Sequence, residues 1–286
     1  MNVAITGAAG FVGRALSERL RASGHSVTPI SLRTQLAPEI FAPCQAVVNL
    51  AGEPVAQRWT SAARERISSS RIQGTRSLVA ALRQHPPAVL VSASAVGYYG
   101  SCGDEILTED SPPASDFLGQ LALGWEREAQ VAEQFGVRVV TPRIGVVLGR
   151  GGGALAKMLL PFRLGVGGRL GTGEQWMSWI ALDDLISVIE FAITNTGLRG
   201  PVNAVAPNPV TNAAFTRELA AALHLPAILP VPAFALEILF GEMSQVLLGG
   251  QRVIPRAALR AGFQFRFADL GEALRAALVH HMPDED

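Results

Sequence analysis

The chain has 286 residues, 49% of them hydrophobic and 17% charged, and its 24 basic residues balance its 24 acidic ones. That is enough apolar material for a large globular core, as one domain or two closely packed ones. The neutral balance speaks against a nucleic-acid binder and against a polybasic membrane surface. No stretch is long and apolar enough to cross a bilayer. The N-terminus enters a strand pattern with no charged leader, so the expected compartment is the cytoplasm. Two cysteines, Cys44 and Cys102, make no disulfide framework, and five scattered histidines show no metal-ligand spacing.

In chain order, Asn2–Thr6 reads as a strand, followed by a glycine cluster and a helix whose apolar residues Phe11, Ala15, Leu16 and Leu20 share a face. Gly24 supplies its C-terminal stop. A second strand runs over 27–30, with Pro29 as an anomaly inside it, and a third over 46–50. A long helix is expected from about Ser61 to Gln84, a fourth strand over 88–92, and loop over 101–116. A helix over 118–135 and a fifth strand over 137–141 complete the alternation. Strands alternating with helices imply right-handed crossovers and a doubly wound parallel α/β sheet of Rossmann type. Beyond residue 150 the pattern loosens into glycine- and proline-rich turns with helices near 180–194, 212–223 and 270–280. This predicts a nucleotide-binding domain over 1–150, with 181–206 returning to it, and a smaller C-terminal substrate lobe from 151–180 and 207–286.

Thr6-Gly7-Ala8-Ala9-Gly10-Phe11-Val12-Gly13 lies between a strand and a helix, the context a dinucleotide loop requires. Glycines let the backbone approach a pyrophosphate, and the helix N-terminus offers free N–H groups and partial positive charge. Thr6, Gly7, Gly10, Phe11, Val12 and Gly13 are therefore candidate cofactor residues, with Leu50, Ala51 and Gly52 after the third strand. At the end of the second strand a carboxylate would bind a ribose 2′-hydroxyl and an arginine a 2′-phosphate. The residues there are Ser31-Leu32-Arg33, which points to NADP(H), with Ser31 and Arg33 at the phosphate. The alternative for Arg33 is a solvated surface side chain.

These motifs, with Asn49-Leu50-Ala51-Gly52, Ser92 to Gly100 and Asp183-Asp184, resemble the extended short-chain dehydrogenase/reductase superfamily. The similarity is closer to its atypical epimerase-family (SDR39U1-like) group with a C-terminal DUF1731-type segment. It is carried also by Ser70 to Thr75, Leu148 to Gly153, Met158 to Phe162, Gln175 to Ile180, Val253-Ile254-Pro255 and Ala261 to Phe265. The resemblance implies a Rossmann domain, a small C-terminal substrate lobe and NADP(H) binding. Two departures stand out. Ala181 follows Trp179-Ile180 where the family pattern has histidine, and Leu32 separates Ser31 from the arginine.

Most of that superfamily uses a Tyr-x-x-x-Lys pair on one helix face, the lysine assisting proton transfer by the tyrosine. The matching helix here has neither residue. Tyr98 and Tyr99 are the chain's two tyrosines and Lys157 its one lysine, so the dyad is absent. The hydroxyls left near the nicotinamide are Ser94, Tyr98 and Tyr99. They are the candidate catalytic groups, and the alternative for the tyrosines is packing of a substrate loop. With no cation beside them, the tyrosines are expected to keep ordinary acidity, near about 10. Arg71 is a candidate cofactor ligand or a surface ion-pair partner. Arg143, placed just after the fifth strand, and Lys157 are candidates for an anionic substrate. Trp176 and Trp179 either line the cleft or pack the core. The expected ligands are NADP(H) and a small carbonyl, alcohol or sugar-derived substrate. No metal is expected, the asparates 183 and 184 are read as a helix start, and the sequence leaves oligomeric state open. The rival reading is a cofactor-holding sensor or scaffold.

Overall fold

The computed structural model describes residues 1–227 and 229–278. Strands β1 (Asn2–Thr6), β2 (Ser26–Ile30), β3 (Ala46–Asn49), β4 (Val89–Ser92), β5 (Arg138–Ile144) and β6 (Gly200–Ala204) form one parallel sheet in the order β6-β5-β4-β3-β1-β2. A two-residue strand, Ser94–Ala95, continues the line of β4 and pairs Ser94 with Arg143. The inner strands are almost wholly apolar because both faces are covered: Val3, Ile5, Val48 and Val91 are fully buried. Burial of each such side chain contributes roughly 1.5–3 kcal/mol. Pro29 is tolerated because β2 is an edge strand, paired only with β1.

Helix α1 (Phe11–Ala22) and the later helix Leu182–Thr194 cover one face, through Leu16, Leu20, Leu185 and Ile189. Helices α2 (Ser61–Leu82) and α3 (Phe117–Gln130) cover the other, through Leu78, Leu82 and Ala129. Caps fix their ends: Thr60 Oγ1 accepts from Ala63 N, and Asp116 Oδ1 accepts from Gly119 N at 2.8 Å. Gly24 closes α1 with φ +77°, and His25 N donates to Leu20 O.

A second core is built by α4 (Gly153–Arg163), α6 (Asn212–Leu223) and α8 (Leu270–Leu278), with Leu155, Leu159, Phe215, Leu219 and Leu274 at its centre, while α5 (Leu182–Thr194) belongs to the sheet core and α7 (Ala233–Phe240) buries only Leu236. Two features depart from the sequence reading. The 101–116 loop contains a short strand, Ile106–Leu107, which pairs in parallel with Arg252–Val253 of the C-terminal segment. The fifth strand runs on through Pro142 to Ile144, because β6 and Ser94–Ala95 offer it partners there. The expected last helix is seen over Leu270–Leu278, and its final expected residues lie outside the described ones.

Candidate active site at the carboxyl edge of the sheet

The strand order reverses between β1, whose next strand lies on one side, and β3, which lies on the other. Crevices at such switch points bind ligands in open α/β sheets. The glycine loop sits there. Gly7 has φ +70°, and a Cβ on it would lie 2.8 Å from the Leu50 carbonyl. A Cβ on Gly13 would lie 2.2 Å from Gly7 O. Only glycine fits either place, so β1, the turn and α1 pack at backbone distance. Helix α1 starts at Gly10 with no side-chain cap and no acid in its first turn, leaving its N–H groups open to an anion.

Other candidate residues hold this loop in shape. Thr6 is buried; its hydroxyl donates to Asn49 Oδ1 at 2.6 Å and accepts from Leu50 N and Ala51 N at 3.2 Å. Asn49 Nδ2 in turn donates to Thr75 Oγ1 and Ser92 Oγ, and Trp125 Nε1 also donates to Thr75 Oγ1. One buried polar chain thus ties β1, β3, β4, α2 and α3 beneath the crevice. Val12 packs against the sheet core. Phe11 turns outward against the second glycine run: a Cβ on Gly149, Gly152 or Gly153 would lie 2.5–2.9 Å from Phe11 or Leu182 side-chain atoms. That contact explains Gly149, Gly152 and Gly153 as packing space for one ring.

Two cations border the crevice. Arg33 is exposed past the end of β2 and has no ion pair among the described residues; its N–H donates to Ser31 Oγ at 3.3 Å. Arg71 lies over Gly52, where a Cβ would come 3.0 Å from the guanidinium. Arg71 Nη1 donates to Glu53 O at 2.9 Å and to Ile67 O, and the guanidinium stacks 5.1 Å from the Trp125 ring centroid. It is therefore no surface ion pair. Burial lowers its pKa to about 10, partly offset by Glu53, so its charge is a cost to the fold that a bound anion would relieve.

The three candidate hydroxyls converge on a buried ion pair. Arg143 lies inside β5, not beyond it, and is 2% exposed. Its Nε donates to Glu126 Oε1 at 2.8 Å and its Nη2 to Glu126 Oε2 at 2.9 Å. The expectation that Arg143 faces an anionic substrate is corrected: Glu126 already occupies its fork. Burial opposes the charge on Arg143, yet the Glu126 carboxylate outweighs it and holds the Arg143 proton more tightly than usual. Ser94 Oγ donates to Glu126 Oε1 at 2.6 Å. Tyr99 is 2% exposed; its hydroxyl donates to Asn203 Oδ1 at 2.6 Å and accepts from Arg143 Nη1 at 2.9 Å. Burial pushes the Tyr99 phenol up to about 12, with Arg143 pulling the other way. Ser94 and Tyr99 are thus committed to protein partners.

Tyr98 differs. The Arg143 guanidinium stacks 3.4 Å from its ring centroid, and the Tyr99 ring meets it edge-on at 5.2 Å. Its hydroxyl bonds to no described residue, and it is not among the sealed polar atoms lacking a partner, which are Arg64 Nε, Glu109 Oε2 and Thr141 Oγ1. The ring is buried while the hydroxyl reaches the surface. The expectation of no cation beside the tyrosines is therefore corrected: Arg143, from a strand 44 residues away from Tyr99, supplies one.

Three further candidates separate. Lys157 on α4 is exposed and its Nζ donates to Ala56 O at 3.3 Å, bridging the lobe to the loop after β3. Trp176 is half-buried, donating from Nε1 to Asp104 Oδ1 at 2.7 Å under the Arg252 guanidinium. Trp179 lines no cleft: it is fully buried in the lobe core and donates to Asn208 O. Asp184 is buried at the start of its helix and accepts from Arg266 N and Phe267 N, which ties down the C-terminal segment. Burial, and to a lesser degree Asp183, raises its pKa against those two N–H donors. Among the described residues no group of histidine, cysteine or acidic side chains could hold a metal ion.

Sequence reading gave no role to Glu126, Asn203 or Glu109, and named Asn49 only as part of a motif. Glu126 carried one signal: it stands eight residues after Leu118 and four after Ala122, on the face where the absent dyad would project.

Comparison with known proteins agrees with this architecture. Residues 3–204 match the NAD dependent epimerase/dehydratase family, and residues 231–277 match a domain of unknown function, DUF1731. The chain is 41% identical over 303 residues to the chloroplastic SDR39U1 homolog of Arabidopsis thaliana, covering 97% of this chain and 87% of that protein. It is 43% identical over 288 residues to the epimerase family protein MT2273 of Mycobacterium tuberculosis, covering 95% and 96%. The crystal structure of human SDR39U1 with NADPH superposes with a TM-score of 0.89 at 37% identity, over 98% of this chain and 100% of that one. On the matched residues and this shared fold, the chain belongs to the NAD dependent epimerase/dehydratase family, in the epimerase-family group that carries a C-terminal DUF1731 segment.

Proposed function

We propose that this protein binds NADP(H) at the β1/β3 switch point and acts as an oxidoreductase or epimerase-like enzyme on a small carbonyl or sugar-derived substrate, with Tyr98 as the proton-exchanging hydroxyl. Gly7, Gly10 and Gly13 bring backbone against the pyrophosphate, Arg33 and Ser31 take the 2′-phosphate, and Arg71 faces the remaining negative charge. The NADPH in the human relative's structure supports the choice of cofactor. When bound, the cofactor supplies the hydride. Tyr98 supplies the proton to the substrate oxygen, and Arg143 fixes the ring beneath it. The observation that carries this reading is the Tyr98 hydroxyl, without a partner among the described residues, on a ring stacked against the Arg143 guanidinium. The test is NADPH oxidation across carbonyl and nucleotide-sugar panels. Turnover lost in Tyr98→Phe with NADPH affinity retained supports the reading, and turnover unchanged in that variant ends it.

A second reading, an NADPH-holding sensor or scaffold, is favoured by a different fact: Ser94 and Tyr99 spend their hydroxyls on Glu126 and Asn203. It predicts NADPH binding without turnover, and partner binding that changes when the cofactor is present.

A further inference from the structure

The segment Arg252–Ala257 lies within residues 231–277, the stretch matched by the domain of unknown function. It reaches the buried Arg143–Glu126 pair through two residues that the catalytic reading leaves unused, Asn203 of β6 and Glu109.

Asn203 is fully buried. Its Nδ2 donates to Ile254 O at 3.0 Å, and its Oδ1 accepts from the Tyr99 hydroxyl at 2.6 Å. A backbone carbonyl only accepts and a guanidinium only donates. With Ile254 O at one end and Arg143 Nη1 at the other, the chain of bonds between them has one polarity. The Asn203 amide turns its Nδ2 to Ile254, Tyr99 donates to Oδ1, and the phenol oxygen is left to accept from Arg143. The C-terminal segment thereby sets which way the Tyr99 hydroxyl points.

Glu109 ties the same residues together at the backbone. Its Oε1 accepts from Asn203 N at 2.9 Å and from Ala257 N at 3.0 Å, and its carbonyl accepts from Arg143 Nη1 at 3.3 Å. One residue thus joins β6, the C-terminal segment and the arginine stacked on Tyr98. Its Oε2 is sealed from solvent with no hydrogen-bond partner. A buried acceptor left unpaired is a cost to the fold, so stability alone does not account for a carboxylate at this position. The segment itself is held in register. Arg252–Val253 pairs with Ile106–Leu107, Ile254 N donates to Leu107 O at 3.0 Å, and Val253 N donates to Ser178 Oγ at 3.0 Å.

We propose that this segment is the outer support of the site, and that Glu109 and Asn203 are positioning residues that transmit its placement to Arg143 and, through the 3.4 Å stack, to the Tyr98 ring. The importance of that placement for turnover rests on the reading of Tyr98 as the proton-exchanging hydroxyl; the placement itself is read without turnover.

The experiment is carbon-13 NMR of the full chain with NADPH, labelled at tyrosine Cζ, with urea denaturation alongside. The signal absent from Tyr98→Phe is the reporter. Substitutions at one position separate reach from charge. Glu109→Gln loses the charge and keeps an oxygen for both N–H groups, and the Tyr98 signal is expected to stay within its linewidth. Glu109→Asp keeps the charge and is one methylene shorter, and the signal is expected to shift beyond its linewidth. Glu109→Ala is expected to shift it further; if that variant does not fold, the Asp and Gln variants still decide. A Tyr98 signal unmoved in Glu109→Asp, whatever stability is lost, overturns the proposal and leaves the segment a brace. A signal that shifts as far in Glu109→Gln as in Glu109→Asp overturns it too, because charge rather than placement is then transmitted. Turnover unchanged in Tyr98→Phe ends the catalytic reading without altering these signals, so the two failures are told apart.

Discussion

Arg143 and Glu126 form a two-pronged ion pair, each side chain less than 5% exposed, between the fifth strand of the sheet and the helix that covers it. Around it gather Ser94, Tyr98, Tyr99 and, through Tyr99, Asn203. Removing one partner leaves the other charged and buried, at a cost of about 3–5 kcal/mol. Glu126→Ala is expected to lose stability on that scale in urea denaturation. The pair Glu126→Leu with Arg143→Met is expected to recover much of it, because neither charge then remains.

Tyr99→Phe leaves Asn203 Oδ1 without a partner and Arg143 Nη1 with the Glu109 carbonyl alone, for a loss of about 1–3 kcal/mol near neutral pH. The folded chain holds the Tyr99 proton more tightly than the unfolded chain does. Its contribution is therefore complete below about pH 10 and is lost as pH rises through about 12. Arg71 works in the opposite sense above its lowered value of about 10, so the comparison that isolates Tyr99 is natural chain against Tyr99→Phe, titrated alkaline. Labelling the two tyrosines at Cζ with carbon-13 reads the same quantity directly. The signal absent from Tyr99→Phe is expected to titrate near pH 12.

Arg33→Ala is expected to weaken NADPH by about tenfold or more, the scale of one charged hydrogen bond. NADH binding, measured by the same calorimetry, is expected to change little. Equal loss for both cofactors would place the 2′-phosphate elsewhere.

Gly13→Ala and Gly52→Ala separate two kinds of crowding. At Gly13 the new methyl meets the Gly7 backbone carbonyl at 2.2 Å, and loop and helix must part. At Gly52 it meets the end of the Arg71 side chain at 3.0 Å, which can swing aside. Cofactor binding is expected to disappear in the first variant and to weaken only several-fold in the second, by fluorescence titration.

The parts of this fold that are local could be read from the sequence. The strand, glycine turn and amphipathic helix of residues 2–22 announce themselves within one stretch, and Thr60 and Asp116 behave as caps where polar residues precede apolar periodicity. Pro29 looked anomalous only because its strand's place at the sheet edge is a fact of strand order. The centre of the site was less legible for the same reason. The Tyr98–Arg143 stack joins residues 45 apart, and nothing in the neighbourhood of the tyrosines signals an arginine arriving from another strand. The sequence reading ended the fifth strand at residue 141, whereas its continuation through Arg143 is supported by β6. Trp179 had the right composition for a cleft and lies in the lobe core, a distinction that packing alone makes.

The central claim is that Tyr98 serves as the hydroxyl at the reacting carbon, with Arg143 and Glu126 fixing it from behind. A crystal structure with NADPH and a carbonyl inhibitor tests it most directly. The account predicts the Tyr98 hydroxyl within about 3 Å of the carbonyl oxygen, over the nicotinamide, with the Arg143–Glu126 pair intact beneath the ring. A nicotinamide lodged away from Tyr98, with a different group or solvent at the carbonyl oxygen, would contradict it.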